Sequence, residues 1–238
     1  MKLQDKVGYI TGGTKGIGLG IAESMLQEGM RVAITGRDGA SAQKVATKLK
    51  KQYGIEVLAI GSNVRSLKEE QKAIAQVIEK WGRIDVVIAN AGVGHFASIT
   101  EMTDEQWHDT IDINLTGVFH TTKASLDALI ESKGYLITIA SLAGTNFFPK
   151  GAAYNASKFG LVGFTQAVML DVRGQGVKVS TIMPGSVATY FNGHIPNDAD
   201  AWKIQPEDIG QLTVDLLKMD SRALPSKVEI RPTMPPKK

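Results

Sequence analysis

Tyr154 and Lys158 stand four residues apart in "AAYNASKFGL", a spacing that puts both side chains on one face of a helix. A free tyrosine has a pKa of about 10 and is neutral at pH 7. An ammonium beside it stabilises the phenolate, so Lys158 is expected to lower the Tyr154 pKa and make it a two-way proton carrier. The same spacing is also common on solvated helix faces, so the pair needs a second polar group and a cofactor to become a site. Ser141 ends the strand-like run "YLITIA", thirteen residues before Tyr154, where a hydroxyl either holds a carbonyl oxygen or caps a turn. Asn114 sits in a long helical stretch, Asp104 to Glu131, although asparagine is a poor helix-interior residue. It marks either a functional contact or a local kink satisfied by its own amide.

Seven short β-branched runs supply the frame: Val7–Thr11, Arg31–Thr35, Glu56–Ile60, Ile84–Ala89, Tyr135–Ala140, Val177–Met183 and Lys227–Arg231. They read as buried strands, and helical periods lie between them. That alternation predicts an α/β protein with a parallel sheet covered on both faces. Helix ends are expected before Gly29, Gly54 and Gly82. No linker or repeat divides the 238 residues, so one domain is expected over 1–238. Ser186 to Gln205 has turn formers and aromatics but no period, and a long irregular segment of this kind is usually functional or mobile.

The first strand runs into "TGGTKGIG", Thr11 to Gly18, and then a helix. Glycines there allow a tight turn and close approach of backbone to a pyrophosphate, and the helix N-terminus favours an anion. The strand before and the helix after make this a dinucleotide site rather than a mere turn.

"TGGTKGIG", Asn90-Ala91-Gly92, Ser141, "YNASK" at Tyr154–Lys158 and Pro184-Gly185, in that order, resemble the short-chain dehydrogenase/reductase family over about Asp5 to Pro232. The resemblance implies a doubly wound, seven-stranded Rossmann fold and an oxidoreductase with NADP(H), acting on a ketone, aldehyde or alcohol. It implies Asn114, Ser141, Tyr154 and Lys158 as the catalytic set, with Asn114 supporting a water chain to the lysine. For the cofactor it implies Gly12, Thr14, Lys15, Gly16, Ile17 and Gly18; Asn63 and Val64; Asn90, Ala91 and Gly92; Tyr154 and Lys158; and Pro184, Gly185, Val187 and Thr189. Asn63 stands where the family usually carries Asp. Gly36 occupies the position of the acid that binds ribose hydroxyls, and Arg37 follows it, with Lys15 in reach. Together they point to a 2′-phosphate, although Asp38 is close enough to pair with Arg37. The substrate wall is expected from His95, Leu142, Phe147, Tyr190 and Phe191, with Phe147 and Trp202 either wall or core, which suits a small hydrophobic carbonyl compound.

Two rival functions stay open. One is a 3-oxoacyl-[acyl-carrier-protein] reductase; the family's docking positions here hold Ser132 and Gln175, with Lys133 and Arg173 nearby. The other is a non-catalytic NADP(H)-binding regulator. The family also implies a homodimer or homotetramer built on the two long helices, Asp104–Glu131 and Ala153–Gly174. The chain departs from the family after its last strand, ending "VEIRPTMPPKK" with Lys237 and Lys238 as a frayed tail.

A net charge of +3, spread along the chain, makes nucleic acid a poor partner. With no cysteine, disulfide scaffolds, thiol nucleophiles and thiolate metal sites are excluded. His95, His108, His120 and His194 show no ligand spacing, so no metal is expected. "MKLQDKVGYITGG" lacks the apolar run of a signal peptide and no segment reaches membrane-span length, so a cytoplasmic protein is expected.

Overall fold

The computed structural model describes residues 2–234, so the tail at Lys237 and Lys238 lies outside the described residues. Seven parallel strands form one sheet: β1 Val7–Ile10, β2 Arg31–Gly36, β3 Val57–Gly61, β4 Val86–Ala89, β5 Tyr135–Ile139, β6 Lys178–Pro184 and β7 Lys227–Ile230. Their order is β3-β2-β1-β4-β5-β6-β7. The connecting helices are α1 Gly16–Gln27, α2 Gly39–Tyr53, α3 Leu67–Trp81, α4 Asp104–Ile111, α5 Gly117–Ser132, α6 Ala152–Val172 and α7 Pro206–Lys218. This is the parallel, helix-covered sheet expected from strand–helix alternation, in the doubly wound Rossmann arrangement that the family resemblance implies.

Every residue of β1, β4 and β5 is buried, because helices cover both faces. Successive β1 residues feed opposite layers. Ile10 packs with Ile21 and Met25 of α1 and Ile209 and Val214 of α7, whereas Tyr9 packs with Ala73 and Val77 of α3 and Leu129 of α5. In the second layer the fully buried Glu70 accepts bonds from the hydroxyls of Ser62 (2.7 Å), Thr121 (2.8 Å) and Tyr9 (3.1 Å). Three donors satisfy a carboxyl group that would otherwise be costly to bury, and they tie α3 and α5 to the sheet.

Two expectations are corrected. β7 is not a buried strand: its residues alternate between exposed and half-buried because it is the edge of the sheet. Asp104–Glu131 is not one regular helix. Residues Asp112–Thr116 widen into a π turn between α4 and α5, and Asn114 lies inside it. Such turns insert one extra residue and are frequent at functional sites. The other long helix runs as α6 and closes with a 3₁₀ turn at Arg173–Gln175. Gly54 (φ 69°) and Gly82 (φ 73°) terminate α2 and α3 in the left-handed conformation.

The strand order reverses between β1 and β4, and the carboxyl ends of the strands open there into a groove of about 2110 Å³. Crevices at such switch points are where ligands bind in open α/β sheets.

Candidate active site

The glycine turn forms one wall of the groove. Gly12 (φ 64°) and Gly16 (φ 55°) adopt the left-handed conformation that side chains resist. A Cβ on Gly18 would lie 2.5 Å from both the Gly12 carbonyl oxygen and Asn90 Nδ2. Lys15, the residue before α1, makes no side-chain cap bond, so the first N–H groups of α1 are left for an anion. Bare backbone, tight approach and a free helix N-terminus fit a dinucleotide pyrophosphate.

Asn90 locks the end of β4 to that turn. Its Nδ2 donates to the carbonyls of Thr11 (2.8 Å) and Gly12 (3.1 Å), and the Thr11 hydroxyl accepts from Asn90 N (3.0 Å) and Ala91 N (3.1 Å). Asn90 and Gly92 are not left-handed turn residues, since neither has positive φ. Thr11 contributes to this lock and was missed from the sequence.

Asp38 does not pair with Arg37. It caps α2, accepting from Ala40 N (3.0 Å) and Ser41 Oγ (2.5 Å), and the Ser41 bond holds its carboxyl below the usual range. Among the described residues neither Arg37 nor Lys15 has an ion-pair partner. Both line the groove. At the end of β3, Asn63 Oδ1 accepts from Arg65 N (3.2 Å), and the Val64 carbonyl accepts from His120 Nδ1 (2.9 Å).

Tyr154 and Lys158 project from the first turns of α6 toward the end of β5. Lys158 is 5% exposed; its Nζ donates to the Ile139 carbonyl (2.9 Å) and lies 5.7 Å from the centre of the Tyr154 ring. Burial lowers its pKa from 10.5 to about 8. The expected lowering of the Tyr154 pKa is reversed. The protein packed around the phenol raises its pKa above 10, and the nearby Ser141 hydroxyl only partly opposes this. The reason is that desolvation of the phenolate outweighs an ammonium directed at a backbone carbonyl rather than at the phenol oxygen. Ser141 is a turn cap, one of the two roles expected for it. Its Oγ accepts from Ala143 N (3.1 Å) as a turn cap, donates to the Pro184 carbonyl (3.4 Å), and lies beside the phenol.

Asn114 is fully buried and acts as a two-point clamp on the segment after β4. Its Oδ1 accepts from Val93 N (2.8 Å), and its Nδ2 donates to the Val93 carbonyl (2.9 Å) and Ser157 Oγ (3.1 Å). The π turn therefore exposes an amide to its neighbours rather than satisfying it within its own helix. Of the residues expected for cofactor, catalysis and substrate, all line the groove except Gly18 and Asn114, which support it from behind.

Opposite the glycine turn, the wall is aromatic. Phe96 has its ring centre 5.4 Å from that of Tyr154, 5.8 Å from Phe148 and 6.2 Å from Phe191, and Tyr154 and Phe191 are 5.6 Å apart. Phe96 and Phe148 were missed, because a lone aromatic in a loop carries no periodic signal. Phe147, expected in the wall, lies at the rim and is 85% exposed; its neighbour Phe148 makes the ring contact instead. Leu142, Tyr190 and Trp202 complete the lining, and His95 Nε2 bonds Asp109 Oδ2 (2.8 Å), which also holds Arg65 (2.6 Å).

The irregular 186–205 segment is ordered by one buried carboxylate. Asp200 bonds Lys203 Nζ (2.6 Å), His194 Nε2 (2.5 Å) and Asn197 N (3.1 Å), and the lysine and histidine bonds hold its pKa well below the usual range.

A sequence profile described as short chain dehydrogenase matches residues 6–200. The chain belongs to the short-chain dehydrogenase/reductase family, and the family makes it an NAD(P)-dependent oxidoreductase. It is 33% identical to an uncharacterized oxidoreductase of Staphylococcus saprophyticus, over 98% of this chain and 99% of that one. It is 36% identical to a Streptomyces coelicolor protein provisionally named a ketoacyl reductase, over 87% and 81% of the two chains. Its fold matches an alcohol dehydrogenase from Thermococcus sibiricus complexed with 5-hydroxy-NADP, with TM-score 0.92, 29% identity and coverage of 99% and 100%. Among the described residues no helix is long and apolar enough to cross a membrane.

Proposed function

We propose that this protein reduces the ketone or aldehyde carbonyl of a small hydrophobic substrate with NADPH, using Tyr154 as the proton donor. The observation that carries this reading is the meeting of Tyr154, Ser141 and Lys158 on the floor of a groove whose opposite wall is the glycine turn. When bound, the dinucleotide supplies the hydride that the carbonyl carbon accepts. Tyr154 gives its proton to the carbonyl oxygen, and Ser141 donates a hydrogen bond to the same oxygen as its charge develops. A phenol with a raised pKa stays protonated through neutral pH, which suits the reducing direction. Lys158, charged below about pH 8, stabilises the phenolate left after transfer. Asn114 positions the post-β4 backbone beside Lys158: a Cβ on Gly92 would meet Asn114 Oδ1 at 3.3 Å and Lys158 Nζ at 3.8 Å.

Preference for NADP(H) over NAD(H) is supported by Arg37 and Lys15, cations at the groove with no carboxylate of their own, and by Gly36 in place of an acid. The same reading takes the chain as one dinucleotide-binding unit with 186–205 as its substrate loop. Phe119, Phe159 and Leu170, exposed on α5 and α6, support a homodimer or homotetramer joined through those helices.

A second reading, reduction of a 3-oxoacyl group on a carrier protein, is favoured by the Streptomyces coelicolor relative. Against it, Ser132 Oγ is engaged with the Ile84 carbonyl (2.6 Å), and the Lys133 side chain packs over Gly176. Loss of NADPH absorbance with a panel of ketones, aldehydes and a carrier-linked acetoacetyl group tests both. We expect turnover of the free compounds. Binding of NADPH without turnover of any of them would contradict the reductase reading and favour a regulator.

A further inference from the structure

We propose that Phe96 and Phe191, packed against Tyr154, and Phe148, packed against Phe96, form a subsite for a neutral aryl group carried by the substrate's carbonyl carbon. This deepens the reading of Tyr154 as proton donor to a carbonyl and rests on it.

The three rings come from three separate loops: Phe96 from β4–α4, Phe148 from β5–α6 and Phe191 from the 186–205 segment. Their planes and that of Tyr154 meet at 56° to 68°; Phe96 stands edge-to-face with Tyr154 and with Phe191, Phe148 is tilted against Phe96, and none is stacked flat. Aromatic groups favour this geometry because ring edges are electropositive and ring faces electronegative. Phe96 is 38% exposed and Phe148 42% exposed on the wall of the groove, so part of each ring is left without a protein partner. An aryl substituent entering beside Tyr154 meets the same edge-to-face geometry, whereas a saturated ring of equal size gains the burial alone.

The arrangement is built into the backbone. A Cβ on Gly94 would lie 2.6 Å from Phe191 Cε1 and 3.1 Å from Phe96 Cζ, and one on Gly151 would lie 2.6 Å from Phe148 Cε2. Each ring thus rests on a position that only glycine fills without displacement. Asn155 fixes the loop that carries Phe148: its Nδ2 donates to the carbonyls of Ala143 (2.8 Å) and Asn146 (2.7 Å), and its Oδ1 accepts from Phe148 N (3.4 Å).

Clustered rings also bind quaternary ammonium groups. Here Lys158 Nζ, 5.7 Å from the Tyr154 ring centre, is a cation beside the rings, and the groove's carboxylates are engaged, Asp38 as the cap of α2 and Asp109 by His95 and Arg65. That charge disfavours a cationic substituent and favours a neutral one.

The test compares acetophenone with cyclohexyl methyl ketone, matched in size, using NADPH and the full chain. Because conjugation alters intrinsic reactivity, the quantity read is the change in the kcat/KM ratio of the two ketones between the wild type and Phe96→Leu, Phe148→Leu and Gly94→Ala. Each edge-to-face contact corresponds to about a two- to tenfold preference, so each variant is expected to lower the aryl-to-cyclohexyl ratio by about that factor. A ratio that the variants leave intact overturns the subsite, as does turnover of trimethylammonioacetaldehyde in preference to benzaldehyde. Binding of 1-phenylethanol and 1-cyclohexylethanol to the NADP⁺-loaded protein, measured by calorimetry, separates the two claims. With no turnover of any ketone, the reductase reading fails; tighter binding of the phenyl alcohol still supports the subsite, and equal binding overturns it.

Discussion

Along the wall made by Gly12, Gly16 and Asn90, groups are placed by backbone: positive φ, short N–H···O bonds and approaches that leave no room for a Cβ. Along the facing wall made by Phe96, Phe148 and Phe191, groups are placed by rings and by the Asp200 hub, from segments far apart in the chain. The first wall tolerates few residue types, and on the proposed reading it takes the dinucleotide. The second can be remade by exchanging side chains, and on the same reading it takes the substrate. Tyr154 and Lys158 lie at the seam of the two walls.

The comparison is broken most severely at that seam. Lys158→Met is expected to lower kcat by about 10²–10⁴, the usual contribution of a positioned acid–base group and its support. It should also stabilise the fold. The lysine's folded pKa of about 8 lies below its unfolded value, so folding is opposed while the side chain is charged. That cost is present in full below about pH 8 and fades as pH rises toward the unfolded value. After allowance for the lost charge-assisted bond to the Ile139 carbonyl, the gain at pH 7 is about 1 kcal/mol. Urea denaturation at pH 7 and pH 10 checks it: the difference between variant and wild type should shrink at the higher pH.

A smaller effect, confined to the glycine wall, is expected for Arg37→Ala. Losing one charge-assisted bond weakens NADPH by roughly 10- to 100-fold, and NADH much less, as fluorescence titration of both would show. Smaller again is Asp200→Asn, confined to the aromatic wall. Loosening the loop should raise the ketone KM by roughly fivefold with little change in NADPH affinity. A parallel loss of NADPH affinity would mean that the two walls are not separately built.

The same division explains what could be read from the residues alone. The strands, their parallel order and the glycine turn follow from periodicity and from glycines where only glycine fits. Ser141, Tyr154 and Lys158 were legible because strand ends and helical spacing bring them together. The aromatic wall was not, because ring contacts join positions some fifty residues apart, as from Phe96 to Phe148, and no local pattern marks them. Phe147 reaches the groove only at its rim while Phe148 makes the ring contact, in a loop held by the Asn155 bonds. The widening at Asn114 left only an ill-suited residue as its trace, whereas β7 does carry its edge position in the sequence, as the charged–apolar alternation Lys-Val-Glu-Ile. The pKa of Tyr154 depends on packing density that spacing does not report.

The central claim is that the Tyr154 phenol delivers the proton. Tyr154→Phe removes one oxygen and keeps the ring that Phe96 and Phe191 contact. Single-turnover mixing of the NADPH-loaded variant with acetophenone is expected to show NADPH bound with near wild-type affinity and its oxidation slowed by about 10²–10⁴. Oxidation at the wild-type rate would contradict the account.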